Sequence, residues 1–280
     1  MSDIDTVFQK LKQSKKYKYL CDDTLYRISH WAVQRFPPKE AVKAAKNKLH
    51  QVYGAFFAKI NPLRMQKLLK QISANPDAET LKSMAVKIMQ SHTSTCERIP
   101  FMKKFYSDLF KRIGKPKKIF DAACGLNPFS IPWMDLPPNT EYYACDIDTQ
   151  LISVINIFFS CLSSSYRAEC ADILVSIPEF TGDVVFLLKT LPCLEQQQKG
   201  ISEKLLTSLK AKYVVISFPS ATLCGKAKGM GNYYDTFALE LINSLNFNYI
   251  KLEYPNELFY VIPLGEAHSV TSHRRRIRAI

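Results

Sequence analysis

The sequence is poor in the features that mark secreted, membrane and metal-binding proteins. No run of 18 apolar residues occurs, and no apolar stretch of the signal-peptide type opens the chain. The eight cysteines are scattered without a CxxC pair, and several lie in apolar runs typical of buried strands. We therefore expect a cytoplasmic protein with reduced, packed cysteines, without a membrane segment and with no metal site.

Hydrophobic residues make up 47% and charged residues 22% of the 280 positions, enough apolar side chains for a core and for two modest domains. The net charge of +13 lies entirely in residues 1–113, which hold 22 Lys and Arg against 9 Asp and Glu, whereas residues 114–280 hold 16 of each. Lys and Arg displace the counterions condensed on phosphates, so this asymmetry favours a module that binds a nucleic acid. A merely basic surface is the alternative.

Two patterns of apolar residues divide the chain. From Ile4 to about Ile113 they recur at spacings of three and four, which predicts helices over Asp22–Arg35, Leu63–Ile72, Asp77–Gln90 and Ile99–Ile113. After Gly114, short apolar runs alternate with helical segments near 149–162, 195–210 and 233–245, which predicts a mainly parallel sheet with right-handed crossovers. The predicted strands are Lys118–Ala122, Tyr142–Cys145, Ala168–Ala171, Asp183–Leu188, Tyr213–Ser217, Tyr249–Tyr254 and Leu258–Ile262.

The last two strands are joined by Pro255-Asn256-Glu257 and are expected to form an antiparallel hairpin. Seven strands ending in a hairpin predict the fold class: α/β, a Rossmann-like class I methyltransferase preceded by an all-helical N-terminal domain. The predicted domains are a basic helical domain with a linker helix over 1–113, a methyltransferase domain over 114–265 and a disordered basic tail over 266–280. That tail carries Arg274, Arg275, Arg276 and Arg278, and either touches RNA or is inert.

Three aspartates follow or end the first three predicted strands. Asp121 precedes the small-residue turn Ala123-Cys124-Gly125, Asp146 ends the second strand, and Asp172 follows the third. Ligands of open α/β sheets bind at this edge, where Asp146 can accept the ribose hydroxyls and Asp172 an adenine amino group. One such Asp is usually a cap or turn residue, but three in register favour a nucleoside cofactor. The turn has a single glycine and lacks the dinucleotide fingerprint, which favours S-adenosylmethionine.

The end of the fourth strand indicates the reaction. It runs Leu187-Leu188-Lys189-Thr190-Leu191-Pro192-Cys193, without the Asn/Asp-Pro-Pro-Tyr pattern of enzymes that methylate exocyclic amines. Guanine N7 presents an in-plane lone pair and needs positioning more than a general base, so we identify no certain catalytic residue. Cys193 resembles the nucleophile of cytosine-C5 methyltransferases, but further signals of that class are missing, and a packed cysteine is the preferred interpretation.

The segment His92–Arg98 precedes the predicted linker helix. Ser94 followed by Glu97 at the third position is typical of a capping box. Capping does not explain Arg98. We expect its guanidinium to hold the methionine carboxylate of the cofactor in a bidentate pair at the domain junction.

Over about residues 10–264 the chain resembles the aminoglycoside-resistance 16S rRNA (guanine(1405)-N7)-methyltransferases, the Arm/Rmt enzymes of pathogens and their relatives in antibiotic-producing actinomycetes. The matching segments are specific and occur in order. They are Ser14–Tyr17, Lys48–Phe56, His92–Arg98, Cys124–Pro128, Leu188-Lys189, Ser217–Pro219, and Gly225–Met230 with Asn232-Tyr233.

The resemblance implies methyl transfer from S-adenosylmethionine to one guanosine in the decoding site of the assembled 30S subunit, and resistance to 4,6-disubstituted deoxystreptamine aminoglycosides. The cofactor-binding residues that it implies are Phe56, His92, Thr93, Ser94, Arg98, Ala123, Gly125, Asp146, Asp172, Ile173, Leu188 and Gln197. Lys15, Lys16, Lys18, Arg27, Lys43 and Lys46 are similar to the family's rRNA-docking surface, and Lys226, Lys228 and Met230 to its loop near the target nucleotide. Lys189 and Met230 would position the target base.

The chain departs from common patterns at two places, because Ala123 stands where many methyltransferases have Gly and the arginine-rich tail has no counterpart. An RNA-binding or ribosome-assembly protein with a silent methyltransferase fold stays open as an alternative, although Asp146, Asp172 and Arg98 speak against it. Methylation of a small molecule would leave the basic domain without a role. We expect a monomer, since a subunit-sized substrate needs no partner chain.

Overall fold

The computed structural model describes residues 2–57, 62–69, 77–220 and 230–264. Its first three helices are α1 (Asp3–Lys12), α2 (Asp22–Arg35) and α3 (Pro38–Phe57). A capping box at Ser2 starts α1, and Pro38 opens α3 because the fixed φ of proline suits the first helical position. The three helices bury one apolar stripe each around Leu11, Leu25 and Leu49.

Four further helices precede the sheet: α4 (Pro62–Leu69), α5 (Ala78–Met89), α6 (Thr93–Cys96) and α7 (Met102–Ile113). The helix predicted from Ile99 begins at Met102, because residues 97–101 form turns. Helices α4, α5 and α7 share an apolar cluster with the sheet, where Phe105 stacks on Phe259 with ring centroids 4.0 Å apart. The domain boundary predicted at residue 113 stays a prediction.

A seven-stranded sheet follows, in the order β3-β2-β1-β4-β5-β7-β6. All neighbours pair in parallel except β7, which runs antiparallel to both β5 and β6, so the predicted fold class and the terminal hairpin are confirmed. The strands are β1 (Lys118–Ala122), β2 (Glu141–Asp146), β3 (Tyr166–Cys170), β4 (Thr181–Leu188), β5 (Lys210–Pro219), β6 (Ile250–Tyr254) and β7 (Glu257–Pro263).

Helices cover both faces of the sheet, as the near-continuous apolar strands require. One face carries α8 (Thr149–Ser160) and a 3₁₀ helix over Asn127–Trp133. The other carries α9 (Leu191–Glu195), α10 (Ile201–Ser208) and α11 (Met230–Ser244). The helix expected over 195–210 is shorter, because residues 196–200 form turns and a bend and Gly200 adopts a left-handed φ of 77° immediately before α10.

Several expectations fall outside the described residues. These are Lys226 and Lys228 of the target loop, residues 70–72 of a predicted helix, the arginines of the tail, and the side chains of Phe56, Thr93 and Met230. Within the described ranges, none of the helices is both long enough and apolar enough for a membrane span.

Candidate functional site

A cavity opens at the carboxyl ends of β1, β2 and β4, on the side where the three-helix unit α1–α3 meets the sheet. This is the edge at which parallel α/β sheets bind ligands. It collects most of the residues expected to hold the cofactor: His92, Ser94, Arg98, Ala123, Gly125, Asp146, Asp172, Ile173, Leu188 and Gln197, together with Lys189.

The turn after β1 forms one wall of the cavity. Ala123 and Gly125 both adopt left-handed backbone conformations, with φ of 49° and 50°. A non-glycine residue adopts this conformation only at a cost, so the position of Ala123 is held by its neighbours; the Cys124 N–H donates to the Cys145 carbonyl across the strands at 2.9 Å. The Gly125 N–H donates to Asp146 Oδ2 at 2.9 Å. The turn therefore fixes the orientation of the carboxylate at the end of β2.

Asp146 is half-buried, and its Oδ1 accepts the N–H of Asp148 at 3.2 Å. Burial raises its pKa to about 6, and the bond from Gly125 opposes that rise. Each oxygen keeps a lone pair beyond these backbone bonds. The carboxylate is thus oriented by the backbone and able to accept further hydrogen bonds from a ligand in the cavity.

Asp172 is only 3% exposed and is bound by the N-terminal unit. Its Oδ2 accepts from Thr24 Oγ1 at 2.9 Å and from Arg27 Nε and Nη2 at 3.0 and 2.8 Å. Its Oδ1 accepts from the Leu174 N–H at 2.9 Å. Arg27 was expected on the rRNA-docking surface, but the structure turns its guanidinium inward, because the buried carboxylate of Asp172 lies opposite it.

Arg27 also reaches Gln197 and Tyr53. Its Nη2 donates to Gln197 Oε1 at 2.9 Å and to the Tyr53 hydroxyl at 3.2 Å, while that hydroxyl donates to Gln197 Oε1 at 3.0 Å. Burial lowers the pKa of Arg27, but the charge of Asp172 more than offsets this, so the pKa is raised. Burial raises the pKa of Tyr53, so its hydroxyl stays protonated at neutral pH. Both side chains are therefore fixed as hydrogen-bond donors to this wall of the cavity.

Arg98 forms a bidentate pair with a carboxylate of the protein itself. Its Nε and Nη2 donate to the two oxygens of Glu257 at 3.1 and 2.6 Å, and its Nη1 donates to Asn127 Oδ1 at 2.8 Å. Arg98 is 3% exposed and Glu257 is fully buried. The bidentate fork that was expected for the methionine carboxylate therefore faces Glu257, although Arg98 lines the cavity and keeps N–H groups beyond these bonds.

A chain of buried polar groups continues from Arg98 beneath the cavity. Asn127 donates from Nδ2 to Asp121 Oδ2 at 2.9 Å, and the Tyr142 hydroxyl donates to the same oxygen at 2.7 Å. Burial raises the pKa of Asp121 to about 7, against the effect of these two bonds. Asp121 does not line the cavity. The grouping of Asp121 with the two aspartates that line the cavity is thus wrong, because its side chain is buried in the core.

Lys189 follows β4 directly and adopts a left-handed conformation, with φ of 56°. Its Nζ lies 2.9 Å from Glu97 Oε2 and 3.6 Å from Glu257 Oε2. The capping box predicted for Ser94 and Glu97 is absent, since Ser94 lies inside α6 and its Oγ is 2.7 Å from His92 Nδ1. Glu97 instead pairs with Lys189 and neutralises its charge at the carboxyl end of β4.

Cys193 lines the same cavity from the first turn of α9. Burial raises the pKa of its thiol. A nucleophilic cysteine requires the thiolate, which a lowered pKa would favour. The packed interpretation of Cys193 is the one that its surroundings support.

The lysines of the N-terminal unit that were expected on the docking surface do not line the cavity. Lys15, Lys16, Lys18 and Lys43 are exposed and Lys46 is half-buried. Lys16 Nζ is 2.8 Å from His50 Nδ1, and the Tyr17 hydroxyl donates to the Lys46 carbonyl at 3.1 Å. These contacts hold the loop between α1 and α2 against α3.

Sequence reasoning missed three residues of the site. Tyr53 lay inside a family motif, but nothing in its spacing distinguished it from a core residue. Asp148 N-caps α8 through the N–H groups of Gln150 and Leu151 at 2.8 and 3.1 Å, a role that its place before an apolar helix could have indicated. Glu257 opens β7 and was taken as part of a turn; its partners are too distant along the chain for local patterns to show.

Comparisons with known proteins agree with this geometry. The sequence model described as "Ribosomal RNA methyltransferase (FmrO)" matches residues 13–261. The chain is 34% identical over 264 residues to a 16S rRNA (guanine(1405)-N(7))-methyltransferase of Micromonospora echinospora, covering 92% of this chain and 96% of that one. It is 32% identical over 272 residues to the enzyme of the same name from Proteus mirabilis, with the same coverage. The crystal structure of 16S rRNA methyltransferase RmtF in complex with S-adenosyl-L-homocysteine has a TM-score of 0.80 and 26% identity, covering 94% of this chain and 98% of that one.

Proposed function

The chain belongs to the ribosomal RNA methyltransferase (FmrO) family, and from that membership we propose that it methylates N7 of guanosine 1405 in 16S rRNA with S-adenosylmethionine as the methyl donor. The relatives that carry this activity in their names match more than nine-tenths of the chain. The observation that carries the proposal is the cavity at the carboxyl ends of β1, β2 and β4, with Asp146 oriented toward it by the Gly125 N–H.

The residues present fit the cofactor. Asp146 keeps lone pairs for the ribose hydroxyls, and Oδ1 of Asp172 and the apolar side chains of Ile173 and Leu188 suit an adenine ring. Carboxylates around the cavity also favour the positive sulfonium, which supplies an electrophilic methyl group. His92 and Ser94 line the cavity beside Arg98 and offer further polar groups for the methionine end.

Guanine N7 carries a lone pair in the plane of the ring and loses no proton on methylation, so the protein has to align the base rather than deprotonate it. Among the described residues, Lys189 lies at the carboxyl end of β4 and pairs with Glu97. We assign the positioning of the target base to Lys189 and to Met230, the first residue of α11. No general base is required.

The exposed lysines of the loop between α1 and α2 and of α3 would bind the rRNA backbone, since phosphate contacts position a protein on nucleic acid. The substrate is then the decoding site of the assembled 30S subunit, reached by a monomer in the cytoplasm, with Lys226 and Lys228 nearest the target. A methyl group and a positive charge at N7 would block 4,6-disubstituted deoxystreptamine aminoglycosides.

Purified protein incubated with 30S subunits and labelled S-adenosylmethionine should incorporate one methyl group per subunit. Cleavage of the extracted 16S rRNA at abasic sites should give a single break at position 1405. An Asp146→Asn variant should lose incorporation, whereas Asp135→Asn, on an exposed turn remote from the cavity, should retain it. Incorporation of the methyl group at a cytosine would refute the proposal. So would a protein that binds the cofactor but incorporates no methyl group, a result that would favour a silent RNA-binding protein.

A bacterium that expresses the chain should grow in gentamicin and kanamycin and stay sensitive to apramycin. Resistance to all three drugs would indicate a different methylated nucleotide. Loss of resistance in the Asp146→Asn strain would tie the phenotype to methyl transfer.

A further inference from the structure

Arg27 is a basic residue of the N-terminal unit that does not behave as a docking residue. Lys15, Lys16 and Lys18 are exposed, whereas Arg27 is largely buried and directs its guanidinium at the cavity wall. It makes four hydrogen bonds, two of them to Asp172 Oδ2 and one each to Gln197 and Tyr53. Its Nε and Nη2 are therefore held by protein partners rather than offered to an RNA phosphate.

The contacts of Arg27 determine which atoms Asp172 presents to a ligand. Oδ2 is occupied by two bonds from Arg27 and one from Thr24, while Oδ1 accepts a single bond, from the Leu174 N–H. Asp172 lines the cavity. Arg27 thus occupies one oxygen of the carboxylate, the Leu174 N–H orients the other, and Arg27 supplies the countercharge for a carboxylate that is 3% exposed.

Gln197 is fixed in the same way. Its Oε1 accepts from Arg27 and Tyr53, and its Nε2 donates to the Cys193 carbonyl at 3.2 Å. The amide is therefore held in one orientation by donors from the N-terminal unit. Arg27 reaches two cavity-lining side chains of the methyltransferase domain at once: Asp172, which follows β3, and Gln197, which follows α9.

We propose that Arg27 is a positioning residue of the cofactor site, which holds Asp172 in the arrangement that recognises the adenine amino group and holds Gln197 beside it. This inference rests on the proposed function, because it assumes that the cavity takes S-adenosylmethionine. It makes the N-terminal unit part of the cofactor site as well as a docking module. Two backbone hydrogen bonds also hold the N-terminal unit against the methyltransferase domain: the Cys21 N–H donates to the Ile147 carbonyl and the Thr149 N–H to the Tyr19 carbonyl, both at 2.8 Å.

The test measures S-adenosylhomocysteine binding to the full-length protein by calorimetry. Arg27→Met removes the fork and should weaken binding tenfold to about a hundredfold, as does loss of the outer partners that orient metal ligands. Arg27→Lys keeps the charge opposite Asp172 and should restore part of the affinity. The affinity for 30S subunits should change less than twofold in both variants. Arg35→Met is the matched control, because Arg35 lies on the same helix, is exposed, and contacts the carbonyl and ring of Trp31 in its own helix.

A second ligand separates positioning from general loss of structure. S-inosylhomocysteine carries an oxygen in place of the adenine amino group and so lacks the donor that Asp172 would accept. If Arg27 acts through Asp172, Arg27→Met should weaken binding of this ligand at least fivefold less than it weakens binding of S-adenosylhomocysteine. A variant that is merely unstable would lose both ligands by the same factor.

Equal losses for the two ligands in both Arg27 variants would overturn the inference. So would unchanged S-adenosylhomocysteine affinity, or a loss confined to 30S binding, which would return Arg27 to the docking surface. If Arg27→Met fails to fold, Arg27→Lys decides by the same two-ligand comparison. Failure of the wild-type protein to bind S-adenosylhomocysteine would overturn the proposed function and the inference together, whereas the other results overturn the inference alone.

Discussion

Replacing Arg98 with Met should destabilise the protein strongly, because Arg98 is the bidentate partner of a fully buried carboxylate. The change leaves Glu257 fully buried without its bidentate partner, and leaves Asn127 Oδ1 without one of its donors. Removing one member of a buried ion pair costs about 3–5 kcal/mol, because the remaining charge is desolvated and uncompensated. Lys189, at 3.6 Å from Glu257, supplies only part of the missing countercharge.

The free energy of unfolding, measured by urea denaturation, should therefore fall by about 3–5 kcal/mol, and Tm should fall by roughly 6–20 °C for a domain of this size. The Arg98→Met/Glu257→Gln double variant removes both charges and should lose at least ~2 kcal/mol less than the sum of the two single variants. Lys118→Met is the control, since its pair with Glu141 is solvent-exposed and should cost less than about 1 kcal/mol.

The reasoning is refuted if Arg98→Met unfolds within ~1 kcal/mol of the wild type, or if the two single changes add in the double variant. That result would mean that Arg98 is held loosely and is free to pair with the cofactor carboxylate. The variant's S-adenosylhomocysteine affinity should then fall by about 1.5–3 kcal/mol, the value of a charged hydrogen bond, without loss of stability.

Three further predictions concern other parts of the molecule. Lys15→Glu with Lys16→Glu should weaken 30S binding and reduce its salt slope while leaving S-adenosylhomocysteine affinity unchanged; a parallel loss of cofactor affinity would refute the separation of the two functions. Asp146→Asn should lower S-adenosylhomocysteine affinity at least tenfold by calorimetry, because an amide replaces one acceptor oxygen with a donor, and unchanged affinity would remove Asp146 from the ribose site. Asp121 has a pKa of about 7 in the folded state and therefore holds a proton that the unfolded chain releases near pH 4. Its contribution to stability therefore falls as the pH rises from 4 to 7. Asp121→Asn should gain stability relative to the wild type over that range in urea titrations, and parallel pH profiles of the two proteins would refute this.

Much of the fold could be predicted from local patterns. The order of the strands along the chain, the helices between them and the terminal hairpin follow from apolar periodicity and turn residues, which act over a few positions. The turn Ala123–Gly125 and Asp146 were located for the same reason, since a small-residue turn and a carboxylate at strand ends meet wherever parallel strands pair. The division into domains was harder to predict. The sequence patterns of α4, α5 and α7 indicate helices but do not show which unit each helix packs on, and only packing assigns them to the sheet.

The sequence by itself determined the class of fold, the family and the edge of the sheet that holds the site. Only the tertiary structure decided the partners of the charged side chains: Arg27 with Asp172, Arg98 with Glu257 and Lys189 with Glu97 lie 145, 159 and 92 residues apart. A guanidinium or ammonium group fits a protein carboxylate as well as a phosphate or a cofactor, so its residue type leaves the partner open. The partner of each cation is the carboxylate that the fold buries opposite it, because a buried charge without a partner is too costly to persist.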